Sequence, residues 1–309
     1  MKNLWISLPL SLICLSVQAN TITVASPAPA AKTAAPAAPG ASTTSAVNTS
    51  VAAAPAAAAP APNKLSASLT LGAEYGMQAM QQPDGTRSQG LTYNIKPGMS
   101  YGDYTIKVDE YYDHDLIDPA SDDGDKWSDP NTIITRKGWE PSKYIKLSPQ
   151  ASVVVPTKRS TREEVGLLYS VSAALGVGLQ TKALGWDAWS LGYQLQLTKS
   201  MTQYDTNAKT NAPSNNFKIR NRITFGYQIT DSISFFNLFD FRSNYSVNGV
   251  VTNSFLTLQS IGYDINENVS VSIGHNNDSP YLKSETYESN LKLQDEANSN
   301  YTLGIEMNI

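Results

Sequence analysis

Cysteine is nearly missing from this chain. Cys14 is the only one in 309 residues. A single thiol closes no disulfide framework and completes no cysteine metal site. Beyond the N-terminus there is also no run of the roughly 20 apolar residues that a membrane helix needs, which excludes an α-helical membrane protein. Basic excess is missing too. Twenty-three Lys and Arg stand against 27 Asp and Glu, the net charge is near −4 and the pI is about 5.3. That balance gives no support for nucleic-acid binding. Few stretches carry a helical period. None of these shortages excludes a sheet that is apolar on one face only. Such a sheet averages to a mean hydropathy close to the −0.29 found here.

The N-terminus reads as an export signal. Lys2 is a short positive region, Leu4 to Val17 is an apolar core, and Val17-Gln18-Ala19 offers compact residues for cleavage after Ala19. The run is too short for an anchor, and Pro9 interrupts it. A lipidated Cys14 is disfavoured by Ile13, which stands where a small residue belongs. Cleavage after Ala19 leaves a mature chain without a thiol. Residues 20–64 follow as an Ala/Pro-rich segment. From Ser26 to Pro62 it is nearly all Ala, Pro, Ser and Thr, with seven prolines and Lys32 as its only charge. It has nothing to bury and reads as a semi-extended, disordered periplasmic linker. A plain spacer and a tether along the cell wall are both compatible with that composition.

From Leu65 the texture changes to alternation. Leu65, Ala67, Leu69, Leu71, Ala73 and Tyr75 oppose Ser66, Ser68, Thr70, Gly72 and Glu74. Leu191, Tyr193, Leu195 and Leu197 oppose Gly192, Gln194, Gln196 and Thr198. Ile219, Ile223, Phe225 and Tyr227 oppose Lys218, Arg220, Arg222 and Thr224. A period of two marks strands with one greasy and one polar side. The last nine residues show it most clearly. Tyr301, Leu303, Ile305, Met307 and Ile309 are apolar, and Thr302, Gly304, Glu306 and Asn308 fill the other face. A strand that ends on the last residue, with an aromatic nine positions from the end, resembles the closing strand of a bacterial outer-membrane β-barrel protein of the porin or small-transporter kind. The usual terminal Phe of that class is Ile309 here. The resemblance covers 65–309. It implies an all-β, transmembrane, antiparallel up-and-down barrel in the Gram-negative outer membrane. It also implies contact with outer-membrane lipid and lipopolysaccharide, and assembly by machinery that reads Tyr301, Leu303, Ile305, Met307 and Ile309. Contact with peptidoglycan would fall to the linker.

Loop lengths orient such a barrel, because its periplasmic turns are short and its outer loops long. Asp278–Asn298, Ser246–Thr252, Asp205–Asn215, Pro156–Glu164 and the acidic Asp113–Asp129 are placed outside. Asn266–Asn268, Thr230-Asp231, Lys182–Asp187 and Gly102-Asp103 are placed inside. The alternation closes only if Asn131–Arg136 descends as a short strand, with Lys137–Lys143 as its turn. That gives about 12 strands. A soluble sandwich is the competing architecture, and strands of ten or more residues are long for one. Aromatics such as Tyr75, Tyr101, Tyr104, Trp189, Tyr193, Tyr227, Tyr263 and Tyr301 gather near expected strand ends, as interfacial girdles do.

Three constellations could carry chemistry. The outer loop 113–129 holds seven aspartates. A solvated acidic tip is the plain reading, and a loop-bound Ca²⁺ on Asp122, Asp123 and Asp125 is the sharper one. No other cofactor is indicated. Asp113-His114-Asp115 invites comparison with omptin-type proteases, which activate water at the rim. His275, four residues before Ser279, does not match the pattern of outer-membrane phospholipase. A rim hydrolase of either kind is therefore an alternative only, and the chain is not expected to be an enzyme. The polar face, expected to line the lumen, carries Lys218, Arg220, Arg222, Asp240, Arg242 and Glu306. Glu74, Lys96, Lys107, Asp109 and Lys146 share it. These charges fit an anion-favouring conduit of the porin kind, or else a salt-bridge network that plugs a structural or adhesive barrel. Deleting Ser26–Pro62 while keeping the signal segment is expected to leave a heat-modifiable barrel in outer-membrane fractions, as electrophoretic mobility with and without heating will show.

Overall fold

The computed structural model describes residues 65–81, 87–116, 127–281, 289–295 and 297–309. The expected signal peptide (1–19), the linker (20–64) and Asp122, Asp123 and Asp125 lie outside the described residues. The described chain is nearly all strand. In order these are β1 (Ser66–Gln78), β2 (Gln89–Tyr101), β3 (Tyr104–Asp115), β4 (Asn131–Arg136), β5 (Trp139–Ser142), β6 (Ile145–Val154) and β7 (Leu167–Leu179). There follow β8 (Trp189–Thr202), β9 (Asn215–Gln228), β10 (Ile233–Ser246), β11 (Val251–Asp264), β12 (Val269–Pro280) and β13 (Ser299–Asn308). Every pairing is antiparallel, and strands pair with their neighbours in sequence. The exceptions are β4, which pairs β6 and not β5, and the seam where the ring closes. There β13 pairs β1, with Leu71 opposite Met307 and Tyr75 opposite Leu303. The Ile309 amide donates to the Leu69 carbonyl at 2.8 Å, and the Leu69 amide donates back at 3.0 Å.

The ring has 12 staves, because β4 and β5 occupy the same edge of β6. β4 pairs its outer half, from Asn131↔Val154 to Thr135↔Gln150, and β5 pairs its inner end at Trp139↔Leu147 and Ser142↔Ile145. The expected turn at Lys137–Lys143 is thus corrected. The strand is only interrupted at Lys137-Gly138 and resumes through Ser142, and the tight turn is Lys143-Tyr144. The physical reason sits at Gly138. A side chain there would run into that of Lys146, and the strand is interrupted at a residue that has none.

The inner turns are held by local chemistry. Gly102 takes a positive φ of 57° between the paired Tyr101 and Tyr104, as a two-residue hairpin of this twist demands. At the next inner turns a side chain does the work. Thr230 Oγ1 accepts from the amides of Ser232 and Ile233, and Asn266 Oδ1 accepts from those of Asn268 and Val269. The outer connection Pro156–Gly166 carries a single π-turn, Ser160–Glu164, and the inner one after β7 a 3₁₀ turn, Thr181–Leu184.

The distribution of apolar side chains rules out a two-sheet sandwich. Only Leu238, Phe255 and Leu256 are buried hydrophobics among the described residues, whereas Ile273 is 62% and Leu303 58% exposed. A sandwich buries its greasy faces against each other. Here they point away from the ring, as lipid requires. Tyr101, Tyr104, Trp189, Tyr227 and Tyr263 mark the inner ends of the staves on that outward face. Trp189 and Tyr227 pack tilted against each other, ring centroids 4.5 Å apart. Tyr193 is not a girdle residue. It lies on the outward face four residues into β8, its hydroxyl donating to the equally outward Asn221 Oδ1 at 2.7 Å.

The register makes a comparison of adjacent residues possible. Phe225 faces outward between Leu191 and Asn237 and touches Trp189, while Thr224 faces the lumen beside Gly192. Phe225→Arg should cost about 2–4 kcal/mol, because a lipid-facing cation has no water. Thr224→Arg should cost far less. Urea unfolding of both variants in lipid vesicles measures the difference, and equal tolerance at the two positions contradicts the register.

Candidate functional site in the barrel lumen

Strand β9 presents Lys218, Arg220 and Arg222 on alternate positions, hence on one face. β10 brings Asp240 and Arg242 against them, with Arg222 opposite Asp240 and Arg220 opposite Arg242. Two arginines facing each other across a ladder repel. The repulsion is relieved by a carboxylate on each side. Asp240, fully buried, is gripped by Arg220 through both carboxylate oxygens. It also accepts from Arg242 Nε at 3.1 Å and lies 3.6 Å from Arg222 Nε. Arg242 Nη1 reaches across β11 to Asp278 Oδ2 at 2.8 Å. Leu238 and Leu256, buried on the lumen face beside Asp240, lower the local dielectric and strengthen these contacts. Four cations therefore share two carboxylates, and this wall keeps a positive excess. The three arginines are not sealed away. Arg220, Arg222 and Arg242 retain 23, 19 and 18% side-chain exposure.

The cluster extends around the ring through amides. Arg222 Nη1 donates to Gln194 Oε1 at 3.1 Å, and Gln194 Nε2 donates to Gln150 Oε1 at 3.3 Å. Gln194 is on β8 and Gln150 on β6, so the contact spans β7. It can form because β7 offers only Gly176 and Ala174 at those rows. All five lumen-facing residues of β7 from Ser170 to Gly178 are Ser, Ala or Gly.

A different balance lines the opposite side. In a ring of 12, β2 and β3 stand six places from β9 and β10. Lys96 pairs with Glu306 at 3.6 Å over β1, where Gly72 leaves room. Thr92 Oγ1 donates to Asp113 Oδ1 at 2.7 Å. Glu74 pairs Thr92, and Asp109 pairs Asn131. The carboxylates Glu74, Asp109, Asp113 and Glu306 thus outnumber Lys96 and Lys107 on β13 to β3.

Of the residues expected in the lumen from the pattern, Lys218, Arg220, Arg222, Asp240 and Arg242 come together on one wall. Glu306 lies elsewhere, with Lys96. Asp278 was expected in an outer loop, but β12 runs on to Pro280 and carries it into the wall. Its even position, shared with Ser270, Ser272 and Gly274, was the signal that could have found it. The rim cluster is corrected in the same way. β3 continues through Asp115, so Asp113 faces the lumen while His114, opposite Leu91, faces outward. They stand on opposite sides of the wall and form no base pair for water. His275 faces outward too, 5.3 Å from the Tyr301 ring. Among the described residues no group of three metal-ligating side chains gathers.

No protein-family model matches the sequence, and none of the curated proteins matches it. Among solved structures, an outer-membrane channel of Pseudomonas putida F1 is similar at TM-score 0.51 and 9% identity, over 82% of this chain and 97% of that one. The KdgM porin gives 0.44 and 6%, over 77% and 98%, and the outer-membrane channel DcaP of Acinetobacter baumannii 0.39 and 8%, over 81% and 98%. The first of these likenesses shows the fold, a closed antiparallel β-barrel, and the outward apolar wall is that of a barrel that spans a membrane.

Asp240 holds the positive wall together, so Asp240→Ala should cost about 3 kcal/mol by leaving three guanidiniums facing one another. Lys96→Ala, which loses one longer contact, should cost under about 1 kcal/mol. Urea midpoints of the two variants in vesicles check the order.

Proposed function

We propose that this barrel is a porin-like channel that passes small solutes across the outer membrane and favours anions. The observation that carries the reading is the solvent-accessible arginine cluster on β9 and β10, facing a wall richer in carboxylates. Opposed walls of unlike charge set a field across the lumen. An anion entering it is drawn along Arg222, Arg220 and Lys218, whose alternate spacing gives successive rungs about 7 Å apart. The guanidiniums offer paired donors to a carboxylate or phosphate. The small side chains of β7 leave space beside this ladder.

The notable supporting feature is asymmetry. A lumen filled by ion pairs would join opposite walls, whereas the contacts of Arg220, Arg222, Arg242, Asp240 and Asp278 run along neighbouring staves. In planar bilayers under a KCl gradient the purified chain is expected to conduct, with a reversal potential of the sign that marks anion preference. Arg220→Gln with Arg222→Gln should lower the anion-to-cation permeability ratio by about threefold or more, since the two lost charges act through partly screened water. A silent bilayer would favour the plugged, structural barrel instead.

A further inference from the structure

Charge is distributed unevenly around the inner end of the barrel, where the short turns lie. From β4 to the turn after β7 the rim carries Arg136, Lys137, Lys143 and Lys182, all exposed, with Glu140 among them. Asp103 adjoins the group, its carbonyl accepting from the Lys137 amide. Lys146 turns to the lumen, over Gly138. Farther round, the charges at that end are Asp187, Asp231, Asp264 and Glu267, with no cation beside them among the described residues. None of the four rim cations has an ion-pair partner among the described residues.

Arg136 belongs to the wall itself. It stands opposite Tyr104 and shares the outward face of β4 with Ile134, which is opposite Ile106. Lys199, at the outer end of β8, is the other outward cation among the described strands, and it bonds Asn216. Between Thr135↔Gln150 and Trp139↔Leu147 this stave advances four residues against three on β6. The extra residue falls at Lys137-Gly138 and resets the alternation. Arg136 and Trp139, three apart, therefore both face outward. Trp139 is 65% exposed, more than any other described aromatic. Beyond Lys137, β5 pairs only β6, because the β2–β3 hairpin has ended.

The depth of this surface is set by its neighbours. Tyr101 and Tyr104 flank it at the turn of that hairpin. Lys143 Nζ lies 4.8 Å over the Tyr144 ring, and the Gln180 amide donates to the Tyr144 carbonyl, which brings the turn of Lys182 alongside. Tyrosine and tryptophan on an outward wall belong at the level of lipid head groups. A strand edge without a partner is tolerated there and not among the tails. A guanidinium on the outward wall has no water at tail depth and reaches for a charged partner at the interface. Its paired donors match a phosphate. We propose that Arg136, Lys137, Lys143 and Lys182, with Trp139, form a binding site for an anionic glycerophospholipid. The phosphate sits against the cations, and the acyl chains lie along Trp139, Ile134 and Ile145. A soluble anion would use the charges and leave these apolar side chains without a role, whereas a lipid uses both.

The test does not involve conduction. The purified barrel in detergent, equilibrated with equal amounts of phosphatidylglycerol and phosphatidylcholine, is weighed by native mass spectrometry. The wild type is expected to retain phosphatidylglycerol in preference. Arg136→Gln with Lys143→Gln should reduce that preference by about tenfold or more, since a charge-assisted bond to phosphate contributes on the order of that factor. Lys199→Gln should leave it unchanged. A wild type that holds both lipids equally, a double variant with the wild-type preference, or an equal loss in Lys199→Gln overturns the proposal. Displacement of the lipid by inorganic phosphate or by a soluble acidic muropeptide also overturns it, because the ligand is then a soluble anion. If the double variant does not fold, photocrosslinking of the wild type in vesicles decides. A phosphatidylglycerol with a photoreactive head group is expected to label peptides within 134–147. Labelling spread around the barrel, or confined elsewhere, overturns the assignment.

Discussion

In hydrocarbon an unpaired peptide group has no water to turn to, and the ladder that closes from β13 onto β1 pairs the staves edge to edge. Everything else follows from that constraint. Closure requires strands, and strands place successive side chains on opposite faces. One sequence must therefore satisfy two solvents at once, lipid outside and water inside. The alternation of Leu and Gln along β8 or of Ile and Arg along β9 is the sequence expression of a boundary only one residue thick. The same constraint explains why there is almost no buried apolar core. The greasy faces need no partner sheet, because the membrane covers them.

The charge cluster depends on the ladder as well. Asp240 could not meet three guanidiniums unless β9 and β10 were in the register that sets Arg222 opposite it. Arg242 could not reach Asp278 unless β11 put small Ser254 and apolar Leu256 between them rather than another long polar chain. On the other flank, the glycine and alanine of β7 let Gln194 and Gln150 touch over an intervening strand. What a residue lacks is as important here as what its neighbour carries. The lumen is shaped by where side chains stop, and the field across it by which staves carry the excess of each sign.

Much of this was legible in the sequence because period two is a local property. Wherever the faces differ in polarity, as in β1, β8, β9 and β13, parity alone assigns each residue to lipid or lumen. The need for a descending strand at Asn131–Arg136 followed from counting. What was not legible lay where the polarity contrast fails. In Trp139-Glu-Pro-Ser142 there is no alternation, so a continuing stave looked like a turn. In β10, Phe235-Phe236-Asn237-Leu238-Phe239 is apolar on both faces, and its polar member points the wrong way. Strand ends were short-changed for the same reason. The polar ends of β3 and β12 read as loop because polar residues are common in loops, and this concealed the lumenal Asp278 and Asp113. The pairing of Arg222 with Asp240, set by the β9–β10 register, cannot be extracted from one strand's pattern at all.

The seam between β1 and β13 has a consequence in time. The Thr70 hydroxyl meets the Asn308 amide oxygen across 238 residues of chain. No local folding event brings such groups together, and contacts of that separation form slowly. Until the last strand arrives, β1 has one open edge, and that edge is a template for any stray strand. The final nine residues therefore decide when the barrel can exist as well as where it ends. A chain whose last strand has not yet docked is held in an unclosed state that must be guarded from its own kind.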